Sequence, residues 1–308
     1  MIKRVLITGS SGFVGKNLKN ILADLEFISV SRTPKKDEFS YKQLIVSVWN
    51  EADVCLHLAG NNHNIQTKVA DQEYFEVNTE LTKKLFDQFL GSTCETFIYM
   101  SSVKAVADEV AGVLDESVIP YPVTAYGKSK LAAEEYILSQ KLPNGKRVYI
   151  LRPCMIHGPN NKGNLNLLYS FVKKNIPYPF GSFENKRSFV SIDNLCFVIK
   201  ELIENKEIPS GVYNISDDQT LSTNELVETM GEVLQKPVRI LKIPKLFVRG
   251  GSKIGDVFSL PVNSERLQKL TENYVVSNRK IVEAIGKELP FTAREGLRKT
   301  IRSFGENL

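Results

Sequence analysis

Arg4-Val-Leu-Ile-Thr-Gly-Ser-Ser-Gly-Phe-Val-Gly15 is the stretch on which the fold turns. Arg4-Val-Leu-Ile7 is a short aliphatic run of strand type, and it stops at the glycine-bearing turn from Thr8 to Gly15. Beyond it, residues 16–25 carry apolar side chains at helical spacing. Strand, glycine turn and helix in this order predict the first βα unit of a nucleotide-binding sheet. Gly9, Gly12 and Gly15 omit side chains where the chain must turn tightly and where backbone amides must approach an anion at a helix N-terminus. The whole turn, Gly9, Ser11, Gly12, Phe13, Val14 and Gly15, is therefore the expected pyrophosphate cradle. Its G-x-x-G-x-x-G spacing differs from the G-x-G-x-x-G of the usual dinucleotide fingerprint.

Working outward, Phe27-Ile-Ser-Val30, Asp53-Val-Cys-Leu-His-Leu58, Thr96-Phe-Ile-Tyr-Met100 and Arg147-Val-Tyr-Ile-Leu151 read as further strands. Helical patterns over 78–90 and 126–138 separate them, so the chain alternates as a doubly wound parallel sheet requires. The expected fold is α/β, of Rossmann type. Residues 41–49 fit neither the strand nor the helix period. After Leu151 the texture changes, with breakers at Arg152-Pro153, His157-Gly-Pro159 and Ile176-Pro-Tyr-Pro179 and a polar loop over 185–188. Val212-Tyr-Asn-Ile215 again looks like a sheet strand, which predicts a discontinuous division. Residues 1–155 with about 189–215 would form the dinucleotide-binding domain, and 156–188 with 216–308 a smaller substrate domain.

Composition narrows the classes. Hydrophobic residues at 42% and charged residues at 24% exclude a disordered or fibrous chain. No apolar run approaches the roughly 20 residues that span a bilayer, so no membrane insertion and a cytoplasmic location are expected. Net charge is +5, with a mild basic enrichment from Lys236 to Lys253 that reads as a solvated face rather than a nucleic-acid surface. Cys55, Cys94, Cys154 and Cys196 lack metal-knuckle or redox spacing and read as reduced, buried thiols. The three scattered histidines give no metal site: His57 lies within a strand as a core residue, His63 could approach a ligand, and His157 is open between the two.

The end of the second strand normally offers an acidic residue to the adenosine ribose. Here it offers Ser31 and Arg32, which suit a 2′-phosphate, so NADP(H) is favoured and NAD(H) possible. Arg32 as a solvated loop residue and Asp37 as a distant acceptor are the alternatives. Tyr126-Gly-Lys-Ser-Lys130 opens a helix and places Tyr126 and Lys130 four residues apart on one face. A phenol titrates near pH 10, and a neighbouring ammonium is what lets it serve as a base nearer neutrality. Ser101 and Ser102 follow a strand whose C-terminal end faces the ligand crevice, where a hydroxyl can orient a substrate oxygen.

Thr8 to Gly15, the run DVCLHLAG from Asp53 to Gly60, Ser101-Ser102, Tyr126-x-x-x-Lys130 and Arg152-Pro153 together resemble the extended short-chain dehydrogenases/reductases, over nearly the whole chain. The resemblance implies a tyrosine acid/base, a lysine on the nicotinamide ribose and a serine bonded to the reacting oxygen. These roles fall on Tyr126, Lys130 and Ser102, with Ser101 as competitor. It further implies that Leu58, Ala59, Gly60, Asn78 and Pro153 border the cofactor. Asn164 and Arg187 would meet a substrate diphosphate, with Arg266 either a second contact or a surface ion pair. The chain departs from the family pattern in carrying Thr124-Ala125 where a proline often precedes the tyrosine, and Gly60 where alanine is common.

Segments 101–105, 163–165 and 185–190 look most like UDP-glucose 4-epimerase-like proteins and UDP-N-acetyl-quinovosamine dehydrogenases. The implied reaction is hydride transfer at C4 of a UDP-hexose or UDP-N-acetylhexosamine, by a 4-ketoreductase or 4-epimerase serving surface-polysaccharide synthesis. A homodimer is implied as well. A 4,6-dehydratase fits less well, because Ser102-Val-Lys104 stands where the family's dehydratases resemble Thr-Asp-Glu. A non-catalytic NADP-binding sensor or scaffold would be expected to have lost Tyr126 or Lys130.

Overall fold

The computed structural model of the protein describes residues 3–61, 70–161, 164–248, 250 and 264–306. The first half runs β1 (Arg4–Thr8), α1 (Phe13–Ile21), β2 (Glu26–Ser31), β3 (Phe39–Ser40), α2 (Val46–Asn50) and β4 (Val54–His57). It continues through α3 (Asp71–Phe75), a π-helical turn (Glu76–Glu80), α4 (Leu81–Leu90), β5 (Thr96–Met100), a 3-10 turn (Val103–Ala105), β6 (Val113–Leu114) and α5 (Ala125–Ser139). Then follow β7 (Arg147–Pro153), β8 (Met155–His157), α6 (Asn164–Lys173), β9 (Phe189–Ser191), α7 (Ile192–Glu204), β10 (Gly211–Ile215) and α8 (Thr223–Leu234). The chain closes with α9 (Ser264–Thr271), β11 (Val275–Val276), α10 (Arg279–Ile285) and α11 (Ala293–Glu306).

Seven strands form one parallel sheet in the order β10-β7-β5-β4-β1-β2-β3. The chain winds outward from β1 in one direction and from β4 in the other, which leaves a crevice beyond the carboxyl ends of these two strands. Alternation along each strand divides the core. On β5, Ile98 and Met100 join one cluster with Val5, Ile7, Leu56 and Leu151, while Phe97 and Tyr99 join another with Leu6, Cys55, Trp49 and Ile150. A third cluster gathers Leu165, Tyr178, Phe183, Leu226, Met230 and Leu297 from the later helices and loops.

Of the ambiguous residues 41–49, the first five connect the two-residue β3 to α2 and the last four lie in that short helix, too brief for its period to show. The helix expected from residue 78 starts earlier, at Asp71, and is interrupted by the π turn that carries Asn78. Thr124, where a proline is often found, caps α5 by accepting from the Gly127 amide at 3.2 Å. All four cysteines are buried free thiols. Among the described residues, no helix is long and apolar enough to cross a membrane and no cluster could hold a metal ion.

Candidate active site

The glycine turn stands at the head of the crevice. Gly9 has φ +73°, and a Cβ there would stand 2.8 Å from the Ala59 amide, so the turn passes directly against the end of β4. At Gly15 a Cβ would stand 2.5 Å from the Gly9 carbonyl oxygen, which is why helix α1 can start against the turn only without a side chain. The Gly12 amide donates to Gly9 O at 3.0 Å and closes the loop. Ser10 Oγ is buried and finds no hydrogen-bond partner among the described residues. A side-chain-free cradle at a helix N-terminus, with an orphaned hydroxyl inside it, fits the pyrophosphate of a dinucleotide.

At the end of β2 the Ser31 hydroxyl donates to Glu38 Oε2 at 3.1 Å, and the Lys35 amide donates to the same oxygen at 3.1 Å. Arg32 is exposed. The carboxylate missing from the strand end is thus supplied from seven residues further along, a residue that local sequence reading passed over. Asp37, the acceptor considered from sequence, takes a left-handed backbone with φ +70°.

Beyond β4, Leu58 is bonded through its amide to Thr8 O at 3.2 Å, and Ala59 through its amide to Thr8 Oγ1 at 3.2 Å. Gly60 lies against the Asn78 amide and the Lys130 ammonium. Asn78 accepts from the Asn61 amide at 2.8 Å and donates to Asn61 O and to Ser129 Oγ, both at 3.0 Å. It therefore ties the β4 loop to helix α5. His57 is the core residue its strand position suggested. Its ring nitrogens bond Thr8 Oγ1 at 2.7 Å and Thr82 Oγ1 at 2.8 Å, and burial pushes its pKa down to about 3.

Tyr126, Lys130 and Glu134 follow at intervals of four along α5, so they share one face of it, and that face meets the end of β5. Tyr126 is half-buried; burial raises its phenol above the ordinary value, while a hydrogen bond with Ser102 pulls it back. Lys130 donates to Met100 O at 2.9 Å and lies 4.9 Å from the centre of the Tyr99 ring. Burial brings its pKa down to about 8, with the Glu134 carboxylate opposing the fall. Ser101 is buried and its hydroxyl donates to Glu134 Oε1. Ser102 accepts from the Lys104 amide at 3.2 Å and keeps its contact with Tyr126. The two serines are thus engaged differently, Ser101 by Glu134 and Ser102 by the Lys104 amide and Tyr126. Pro153 ends β7 paired with Ile215 of β10.

On the far side, Arg187 precedes β9, ion-paired to Glu272 Oε1 at 3.4 Å. Its Nε is buried without a partner among the described residues. Asn164 begins α6 and Arg266 lies in α9, but neither side chain is among those described. His63 lies outside the described residues. His157 is buried, bonded through Nδ1 to Thr300 Oγ1 at 2.8 Å, and so belongs to the packing of β8 against α11.

A parallel sheet with this winding, a glycine cradle at its switch point and a Tyr–Lys helix beside it define a Rossmann-type enzyme that uses a nicotinamide cofactor. Residues 5–216 match the model of the NAD dependent epimerase/dehydratase family, and the chain belongs to that family. It is similar to a UDP-glucose 4-epimerase of Vibrio cholerae, 32% identical over 99% of this chain and 96% of that one. Among solved structures, MoeE5 in complex with UDP-glucuronic acid and NAD superposes with a TM-score of 0.75 at 20% identity, over 99% of this chain and 100% of that one. RMD from Pseudomonas aeruginosa complexed with NADPH does so with a TM-score of 0.74 at 22% identity, over 99% of each. At these identities the superpositions speak for the fold.

Proposed function

We propose that the enzyme moves hydride at C4 of a UDP-sugar, a UDP-hexose or UDP-N-acetylhexosamine, and does so as a 4-epimerase. The observation that carries this reading is the Tyr126–Ser102–Lys130 arrangement at the β5 end beside the cofactor cradle. The bound nicotinamide supplies the hydride acceptor and donor. Gly9, Ser11, Gly12, Phe13, Val14 and Gly15 would hold its pyrophosphate side, with Leu58, Ala59, Gly60, Asn78 and Pro153 along its length. Tyr126 takes the O4 proton as hydride leaves C4, and returns it when the 4-keto sugar is reduced on its other face. Ser102 holds O4 toward the phenol. Lys130, charged at neutral pH, stabilises the phenolate and binds the nicotinamide ribose.

Arg187 would meet the diphosphate through its unpartnered Nε, with Asn164 and Arg266 as further contacts. Residues 156–188 and 216–308 would form the sugar-nucleotide side of the enzyme. The 4-epimerase reading is supported by the full-length similarity to the V. cholerae epimerase and by Glu38, which occupies the Ser31 hydroxyl and offers a ribose acceptor suited to NAD(H). A 4-ketoreductase using NADP(H) is the second reading, favoured by exposed Arg32. Either activity fits a cytoplasmic homodimer that makes sugars for surface polysaccharide.

The test is to denature purified enzyme, identify the released nucleotide by mass, and assay UDP-sugars with and without NADPH. Interconversion of UDP-glucose with UDP-galactose, or of their N-acetyl counterparts, without NADPH consumption supports the epimerase. Stoichiometric NADPH oxidation with a UDP-4-keto sugar supports the reductase. No turnover of any UDP-sugar overturns the proposal.

A further inference from the structure

Glu134 lies one helical turn beyond Lys130 and is fully buried, a position for a carboxylate that requires strong partners. It has them. Arg152 Nε approaches Oε1 and Oε2 at 3.1 Å each, and Arg152 Nη2 approaches Oε2 at 2.5 Å. Ser101 Oγ donates to Oε1. Arg152 is itself 5% exposed and immediately precedes Pro153 at the end of β7. The Ser101 amide donates to Leu151 O at 2.8 Å, so the ends of β5 and β7 are already neighbours before the ion pair locks them.

The three side chains on the α5 face grip three consecutive residues. Glu134 holds Ser101, Lys130 holds the Met100 carbonyl, and Tyr126 meets Ser102. The reacting pair, Tyr126 and Ser102, is thus the last rung of a ladder whose first rung is a buried ion pair. We propose that Glu134 is a positioning residue for hydride transfer: by anchoring Ser101 and Arg152 it fixes the strand end that carries Ser102, and it keeps a negative charge one turn from the Lys130 ammonium. This rests on the reading of Tyr126 and Lys130 given above.

Among the described residues, few groups face Lys130. They are Glu134 and Tyr126 on its own helix, the Tyr99 ring on β5, and His57 on β4, which stays neutral through the physiological range. Glu134 is the anion among them, and it opposes the burial that lowers the ammonium pKa. Without it Lys130 should lose its proton at lower pH, and the phenol should lose its charged neighbour with it.

The experiment compares wild type with Glu134→Gln in two readouts. The first is the titration of Lys130, followed by the 13Cε resonance of labelled lysine and assigned with Lys130→Arg, in protein free of nucleotide sugar. The second is the pH profile of kcat and KM. Glu134→Gln should bring the Lys130 midpoint below its starting value of about 8. It should also lower kcat at neutral pH on the order of tenfold or more, while KM changes less than about twofold. Because Glu134→Gln alone strands Arg152, the double variant Glu134→Leu/Arg152→Met is measured beside it; replacing both members of a buried pair by apolar side chains of similar volume is often neutral for stability.

A Lys130 midpoint and a kcat profile unchanged from wild type in either folded variant overturn the proposal. So does a loss of activity that tracks only a fall in Tm with the midpoint unmoved. The lysine titration needs no substrate, so a wild-type enzyme inactive on UDP-sugars would sink the proposed reaction and still leave the Glu134 effect to be read.

Discussion

Acid should weaken this fold through one identifiable side chain. The His57 ring is fully buried, clamped between Thr8 and Thr82 and stacked at 5.6 Å on Tyr99, so protonation would put a charge where neither neighbour can hydrate it. Burial sets its folded pKa at about 3, whereas an unfolded histidine titrates near 6.5. Below 6.5 the unfolded chain therefore binds a proton that the native one refuses, and stability falls with pH until the native ring also titrates. The linkage relation gives a loss of about 2 kcal/mol at pH 5, and this figure hardly changes for any native midpoint below about 4. Other groups, such as the Glu225 and Glu295 carboxylates with lowered pKa values, also cost stability on acidification. A comparison removes them. Those carboxylates are unaltered in His57→Gln, whose amide can face both threonines but cannot titrate. Urea unfolding followed by the fluorescence of the single, buried Trp49 would be run on both proteins at pH 7.5 and pH 5. Wild type should be the more stable at pH 7.5, and its advantage should shrink by about 2 kcal/mol at pH 5. A gap that stays constant within about 0.5 kcal/mol would refute the assignment of the acid response to His57.

Gly15→Ala should open the cradle, because the new Cβ would stand 2.5 Å from Gly9 O; nicotinamide nucleotide affinity, measured by fluorescence titration, should fall at least about tenfold. Ser102→Ala should lower kcat on the order of a hundredfold with little change in Tm. Ser101→Ala should do the reverse, costing about 1 kcal/mol in unfolding experiments through the one hydrogen bond that Glu134 Oε1 loses while Arg152 still holds it, and equal kinetic effects from the two would contradict the division of roles. Arg32→Ala should weaken NADP+ more than NAD+, and Glu38→Gln the opposite; calorimetric titration with both nucleotides decides which residue governs the choice.

Six of the seven strands of the sheet were legible because they are short, mostly apolar runs, and its first turn because it is written in glycines, both local signals; the two-residue β3 is too short to give one. Tyr126 and Lys130 were legible for the same reason: four residues on a helix fix a shared face. The choice between Ser101 and Ser102 was not, because it depends on Glu134, which meets Ser101 from 33 residues along the chain and is itself held by Arg152 at the end of another strand. A signal did exist for Glu134, since it continues the same four-residue interval beyond Lys130, but an acidic residue on a helix reads as solvent-facing until its burial is seen. Glu38 carried no signal at all. It sits in a loop, and its meeting with Ser31 depends on the path of residues 32–38, which no periodicity describes.

The π turn at Glu76–Glu80 has a consequence for how such a site can change over generations. A π turn amounts to one residue more than the regular helix would hold, and it carries Asn78, which reaches Asn61 and Ser129, ahead of α4. Losing one codon there would restore an even helix and swing everything upstream by about 100° around its axis. Point substitutions along α3 and α4 can tune the contacts of Asn78, but the clasp between the β4 loop and helix α5 is inherited or lost in a single step of length.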